Sequence, residues 1–191
     1  RKSSQGLIEP TRPDISGFVF KIQANMDPNH RDSLSFIRIC SGVFSKDMTV
    51  PNPRGGNKPI RLSYPQRLFG QDRESVETAY PGDIVGLVSH GTFRIGDTLT
   101  QIPDLHYHEI PRFPPEVFSY LHNNTPSKFK QFRDGLEQLL NEGVIQVFYL
   151  HNSQQKTALL GAVGQLQFEV VKHRLETEYA ADVRLEVTPF T

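Results

Sequence analysis

Along residues 14–105 the apolar positions come in short groups punctuated by Gly, Pro, Asn and Asp, which is the pattern of consecutive strands. Phe18, Phe20 and Ile22 alternate. So do Leu34, Phe36 and either Arg38 or Cys40 on one face, with Ile37 and Ile39 on the other. A loop at Asp27-Pro28-Asn29-His30 separates these two strands, and Gly42 ends the second. Met48 and Val50 begin a third, Ile60 and Leu62 a fourth, and Val85, Leu87, Thr98 and Leu99 fall in the closing strands. The tract Ala79-Tyr80-Pro81-Gly82-Asp83-Ile84-Val85-Gly86-Leu87 and the following His90-Gly91-Thr92-Phe93-Arg94-Ile95-Gly96-Asp97-Thr98-Leu99 read as two strands that a glycine-rich turn folds back on each other. Full closure removes the edges of so many short strands, so the pattern predicts an all-β barrel over residues 14–105.

The proline cluster Ile110-Pro111-Arg112-Phe113-Pro114-Pro115 interrupts this pattern, because proline stiffens a segment and donates nothing to a ladder. It predicts a linker over 106–115, and the opening stretch 1–13, with Pro10 and Pro13, reads as another. From Glu116 the spacing changes. Residues 117–121 alternate as a strand, and Thr125-Pro126-Ser127 opens a helix with Thr125 or Ser127 as its cap. Phe129, Phe132, Leu136, Leu139 and Leu140 form its apolar stripe, and Gly143 is its left-handed stop. Strands over 144–150 and 157–163 follow, then a helix with Phe168, Val171, Leu175 and Tyr179 on one side, then a strand over 182–187. Strand, helix, strand, strand, helix, strand is the α+β ferredoxin-like split βαβ arrangement, predicted for residues 116–191.

With 21 basic and 21 acidic residues the formal net charge is zero, so no long-range field draws the molecule to nucleic acid or an anionic membrane, and RNA contact would need a local patch. One cysteine, Cys40, supports neither an internal disulfide nor a multi-cysteine metal site, and reads as a buried strand thiol in a reduced, cytoplasmic protein. No apolar run is long enough to span a bilayer as a helix. The chain opens without methionine on Arg1-Lys2-Ser3-Ser4 and reads as a monomeric piece of a longer polypeptide.

No catalytic constellation stands out. Arg54-Gly55-Gly56-Asn57-Lys58-Pro59 lacks the spacing, hydroxyl and following helix of a nucleotide-binding P-loop, and reads instead as a basic hairpin tip. Asp104, His106 and His108 share a face of an extended chain but have no evident fourth ligand, so a solvated segment beside the linker is the simpler reading. Ser41, Ser63 and Ser89 sit in no nucleophile elbow, and Ser89 and His90, as neighbours, point apart. Glu176 and Glu178 read as a solvated helix face, His173 as exposed, and His30, His90, His122 and His151 as turn residues. The chain therefore predicts no catalytic residue, no metal ligand and no bound cofactor. What rises above background is charge. Pro51 to Gln66 contains no acid, whereas Arg54, Lys58 and Arg61 lie inside it and Arg67 just beyond, a local positive tip suited to phosphate. Arg38, alone in an apolar strand, must exit at the barrel surface or be paired, and its forked donors also suit phosphate.

Several tracts together resemble the middle of a translational GTPase of the elongation factor G group. Gly17-Phe18-Val19-Phe20-Lys21-Ile22, Arg38-Ile39-Cys40-Ser41-Gly42 and the Pro-Gly-Asp-Ile and Ile-Gly-Asp-Thr turns are similar to that group's second domain, a barrel. Gly161-Ala162-Val163-Gly164-Gln165-Leu166-Gln167-Phe168-Glu169-Val170 is similar to the strand-to-helix passage of its third. Within the group, FKIQANMDPNHRDSLSF and GAVGQLQFEVV resemble the bacterial class II peptide-chain release factors, where elongation factor G has GELHLEI. The resemblance implies a GTP-dependent termination factor that drives class I release factors off the ribosome. GTP or GDP with Mg2+ would belong to an N-terminal GTPase domain in the parent, not to residues present here. The ribosome, through small-subunit RNA and protein, is the implied partner, with class I factors indirect and no membrane. By motif position Arg38 matches the barrel strand that meets ribosomal RNA, while Arg54, Lys58 and Arg61 are added from charge. Elongation factor G itself, a stand-alone RNA-binding module and an enzyme with an unrecognised site remain the alternatives at this point.

Overall fold

The computed structural model describes residues 1–24, 33–54, 58–69, 72–89, 92–108, 110–111, 113–149 and 157–188. A short hairpin, β1 (Lys2–Ser3) and β2 (Gly6–Leu7), precedes two long antiparallel strands, β3 (Ser16–Ala24) and β4 (Ser33–Ser41). Then come β5 (Phe44–Ser45), β6 (Thr49–Val50), β7 (Ile60–Arg61), β8 (Pro65–Phe69), β9 (Asp72–Ser75), β10 (Thr78–Ala79), β11 (Ile84–Ser89) and β12 (Thr98–Thr100). Together they form an all-β barrel. Its main sheet has the order β12-β3-β4-β11-β8-β9, and two short ladders, β5 with β10 and β6 with β7, supply further wall. Phe44, Val50 and Ala79 from those ladders share one core with Val19, Ile37, Ile39, Val85 and Leu99.

The strand pairing and facing of the barrel differ from the sequence pattern in three details. The segments around residues 84–89 and 98–100 do not fold onto each other. Both edges of β11 are taken, by β4 and β8, and β12 pairs with β3 instead. What the glycine turns do is dock on the long strands. At Tyr80-Pro81-Gly82-Asp83, with Gly82 at φ 101, Gly82 N donates to Ile39 O and Ile39 N donates to Asp83 O. At Arg94-Ile95-Gly96-Asp97, with Gly96 at φ 98, Gly96 and Val19 do the same through Val19 O and Asp97 O. In each turn the aspartate side chain accepts the N–H three residues back.

A bulge in β3 changes which residues face inward. Val19 pairs with Ile37 and Lys21 with Phe36, so Phe20 is an extra residue. Ile22 therefore joins Val19 in the core, while Phe18 and Phe20 pack outside, and the expected alternation of Phe18, Phe20 and Ile22 on one face fails there. The β8–β9 pairing also has no counterpart in the pattern.

The stretches expected to be linkers form a second layer over that outer side. Ile8, Ile102, Leu105 and Tyr107 are buried against Phe18, and Tyr107 meets the Phe18 ring edge-on at 6.1 Å. Ser3 bridges to Tyr107, and a buried hydroxyl chain runs from Ser41 to Ser16 (2.5 Å) to Tyr107 (2.6 Å). Phe18, which faces away from the core opposite Val19, leaves apolar surface that needs this cover, so residues 1–13 and 106–108 pack as part of the first unit, Arg1–Ile110. Cys40 lies at the edge of this layer and is half-buried rather than buried.

The second unit, Pro111–Thr191, is the α+β ferredoxin-like domain. Its elements are β13 (Val117–Asn123), a 3-10 turn (Pro126–Lys128), α1 (Phe129–Asn141), β14 (Gln146–Phe148), β15 (Ala158–Ala162), α2 (Gln165–Glu178) and β16 (Val183–Val187). The sheet order is β14-β15-β13-β16, all antiparallel. Phe132, Leu136 and Leu139 of α1 and Phe168, Val171 and Leu175 of α2 fill the core, as the spacing predicts. Phe129, the first residue of α1, is instead 58% exposed, one turn short of the buried stripe. Gly135 lets the helices approach, since a Cβ there would lie 2.7 Å from Tyr179 Cγ. Gly143, at φ 73, donates to Leu140 O and Val144 donates to Leu139 O, closing α1 with a Schellman motif. At the other end neither Thr125 nor Ser127 caps through its hydroxyl; Asn123 Oδ1 accepts Thr125 N instead. His122 lies in β13 and not in a turn, whereas His30, His90 and His151 fall outside the described residues. Among the described residues no helix is long and apolar enough to cross a membrane, which says nothing of strands.

Candidate nucleic-acid interface

Arg38 occupies the middle of β4, opposite Phe18 on one side and Ile84 on the other. Alternation points Ile37 and Ile39 into the core, so the side chain between them must face outward, and Arg38 is exposed. Ile84, its neighbour on β11, is 47% exposed. The result is a solvated guanidinium on a rigid central strand, flanked by an aliphatic side chain.

The hairpin cations are less available than the linear count suggests, because folding brings acids from elsewhere to the acid-free window. Arg54 Nη2 lies 3.0 Å from Asp97 Oδ2, and the side chains are only 29% and 14% exposed. Asp97 is the turn aspartate that also accepts Arg94 N, so Arg54 is tied to the barrel through a fixed carboxylate. Arg61 Nε lies 3.1 Å from Asp47 Oδ1, which also accepts the Ser63 hydroxyl at 2.8 Å. The Ser63 hydroxyl and Arg61 hold the Asp47 carboxyl below its ordinary value. Beyond the window, Arg67 Nη2 is 3.7 Å from Asp83 Oδ2. Lys58 is exposed and, like Arg38, meets no acid among the described residues. Gly55, Gly56 and Asn57, between Arg54 and Lys58, lie outside those residues.

The other sequence candidates have structural surroundings. Asp104, His106 and His108 are exposed at alternate positions, but the segment is the strap over β3: Tyr107 between the histidines is buried, and His106 N donates to Ser4 Oγ. Burial pushes the Tyr107 phenol well above its ordinary value despite its hydrogen bond to Ser16. No group of three metal-ligating side chains is gathered among the described residues. Ser41 is part of the buried hydroxyl chain, and Ser63 is held by Asp47. His173 is exposed, as expected.

Sequence reasoning missed two polar devices in the second unit. Glu178 is not simply solvated: Arg174 forks between Glu178, at 2.8 and 2.9 Å, and Glu142, at 2.5 and 3.1 Å. Those carboxylates raise the Arg174 pKa further above its ordinary value. At the start of α2, Gln167 Oε1 accepts Val163 N (2.8 Å) and Gly164 N (3.1 Å), while its Nε2 donates to Val144 O (2.8 Å). The glutamine three residues after Gly164 was a readable signal, since an N3 Gln reaches back to a helix's first amides.

Two family models match the chain: "Elongation factor G domain 2" over residues 14–102 and "Class II release factor RF3, C-terminal domain" over residues 107–191. The chain is 56% identical over 190 residues to peptide chain release factor 3 of Acaryochloris marina, 55% over 190 residues to that of Cyanothece sp., and 54% over 190 residues to that of Trichodesmium erythraeum. In each case the alignment takes in 100% of this chain and 35% of the relative, so the chain spans about a third of its curated relatives' length. A crystal structure of a Thermus thermophilus protein superposes with a TM-score of 0.74 at 22% identity, over 92% of this chain and 26% of that one, a likeness of fold.

Proposed function

The chain belongs to the peptide chain release factor 3 family, and we propose that it is the non-catalytic, ribosome-docking part of a GTP-dependent termination factor that promotes departure of class I release factors. The observation that carries this reading is the identity above one half with proteins named peptide chain release factor 3, sustained through both domains. In the full-length protein, GTP or GDP with Mg2+ would be held by a separate GTPase domain. Rearrangement there would reset the barrel and the ferredoxin-like domain against the ribosome, a rigid-body switch. The working compartment is the cytosol, where ribosomes are.

Arg38 and Lys58 are the cations we assign to ribosomal RNA, because each is solvated and, among the described residues, has no carboxylate beside it. Arg54 and Arg61 serve first to hold the hairpin to Asp97 and Asp47, and would reach phosphate only at the edge of those pairs. The test is co-sedimentation of the 191-residue chain with ribosomes across a salt series. Arg38→Ala and Lys58→Glu should weaken binding, flattening the log–log salt slope by about 0.7–0.9 for each phosphate that is no longer neutralised. Circular dichroism should stay unchanged. Affinity unaltered by both substitutions at every salt concentration would remove the assignment.

A further inference from the structure

Folding gathers one cation that the linear charge count passes over. Arg94 lies outside the acid-free stretch 51–66, in the turn Arg94-Ile95-Gly96-Asp97 that docks on β3 through Val19. Phe93 before it is buried in the barrel core and Ile95 after it packs against that core. Arg94 sits between these two anchors and is itself exposed.

Asp97 joins this turn to the basic hairpin. Its Oδ2 accepts Arg94 N at 2.9 Å and Arg54 Nη2 at 3.0 Å, so the backbone of Arg94 and the guanidinium of Arg54 meet at one oxygen. The β6–β7 ladder closes the hairpin, and Gln101 Nε2, just past β12, donates to Thr49 O at its root. Arg94 is therefore held beside a segment that is distant from it in sequence.

The charge left at this junction is positive. Asp97, the acid of the turn itself, spends its carboxylate on Arg54, with side-chain exposures of 14% and 29%. Among the described residues no carboxylate pairs with the Arg94 guanidinium, whereas Arg12, Arg61 and Arg67 of the same unit pair with Asp14, Asp47 and Asp83. An internally paired charge projects little field, so what meets a polyanion here is Arg94 together with Lys58 of the hairpin. The forked donors of Arg94 can take a phosphate without first giving up a carboxylate, and the turn that carries them is fixed before binding.

We propose that Arg94 is a phosphate-binding residue of the ribosomal RNA interface, set beside the basic hairpin by Asp97. The proposal rests on the ribosome-docking reading above and adds to it a contact that neither motif position nor local charge marks.

The test is co-sedimentation of the 191-residue chain with ribosomes across a salt series, with Arg94→Ala, Arg94→Lys and, as a control for the loss of one positive charge, Arg12→Ala. Arg94→Ala should weaken binding and flatten the log–log salt slope by about 0.7–0.9, which is about fivefold to eightfold for each tenfold change in salt. Arg94→Lys keeps a point charge for phosphate and should recover most of that affinity. Arg12→Ala should stay within about twofold of the parent, because its charge is already paired. Arg94→Ala that binds like the parent, while Arg38→Ala or Lys58→Glu binds more weakly, overturns the inference and leaves the docking reading standing. An equal loss in Arg12→Ala also overturns it, since total charge alone would then govern binding, and so does Arg94→Lys as weak as Arg94→Ala. A parent chain that does not sediment with ribosomes removes the docking reading, and this inference with it.

Discussion

Replacing Gln167 with alanine removes the side chain that joins the end of α1 to the start of α2. Three hydrogen bonds go: two accepted from Val163 N and Gly164 N and one donated to Val144 O. Each is worth about 0.5–1.5 kcal/mol net. Val163 is exposed and Gly164 is half-buried, so water recovers part of the loss at the two amides, and the total falls near the usual cost of a lost helix cap, about 1.5 kcal/mol. For a unit of this size that lowers the melting temperature by roughly 6–12 °C. Melting of the 191-residue chain followed by circular dichroism at 222 nm reads the effect, since both α-helices of the described residues, α1 and α2, lie in the second unit. Gln165→Ala, at an exposed position two residues earlier, is the control and should change little. The reasoning fails if Gln167→Ala melts within about 2 °C of the parent, against the shift expected above, or if Gln165→Ala loses as much. Gln167 also stands where elongation factor G has the histidine of GELHLEI, so the residue that marks the subfamily is assigned a mechanical task.

Two further outcomes test other parts of the fold. Arg174→Met deprives Glu142, only 9% exposed at its side chain, of its guanidinium and should cost about 2–3 kcal/mol in urea unfolding at 222 nm; Arg174→Lys should lose much of this too, because an ammonium with three donors on one nitrogen cannot reproduce the four bonds that the planar guanidinium makes to the two carboxylates. Tyr107→Phe should destabilise the first unit by about 1 kcal/mol at neutral pH, read from near-ultraviolet circular dichroism in urea. Burial raises the Tyr107 phenol above its ordinary 10.0, so its contribution is complete below that pH and declines as pH rises beyond it. Tyr107→Phe should therefore flatten the alkaline loss of stability above pH 10, and an equally steep loss in the variant would count against a buried neutral phenol.

Much of the architecture could be read from local pattern. The 3.6-residue spacing of Phe132, Leu136 and Leu139, and of Phe168, Val171 and Leu175, marks helix faces whatever they pack against. Gly143 and the two Gly-Asp turns carry backbone signals that need no tertiary context, because a positive φ is costly for other residues. The order of elements then leaves few antiparallel arrangements besides the ferredoxin-like one. Reading failed where a residue's partner is distant in sequence. The Phe20 bulge is a property of the β3–β4 register, and the packing of residues 1–13 and 106–108, expected as linkers, onto the outer side of β3 depends on contacts with Phe18 that are distant in sequence.

The same distinction governs the candidate interface. Amino-acid order by itself determined that Arg38 is a lone cation in an apolar strand and that residues 51–66 hold bases without acids. Only the folded chain decided which of those charges are spent, by carrying Asp97 to Arg54 and Asp47 to Arg61 across 43 and 14 residues of sequence. A backbone propensity acts within a few residues and is written locally, whereas an ion pair depends on distance through space, and that is set by how the strands are paired.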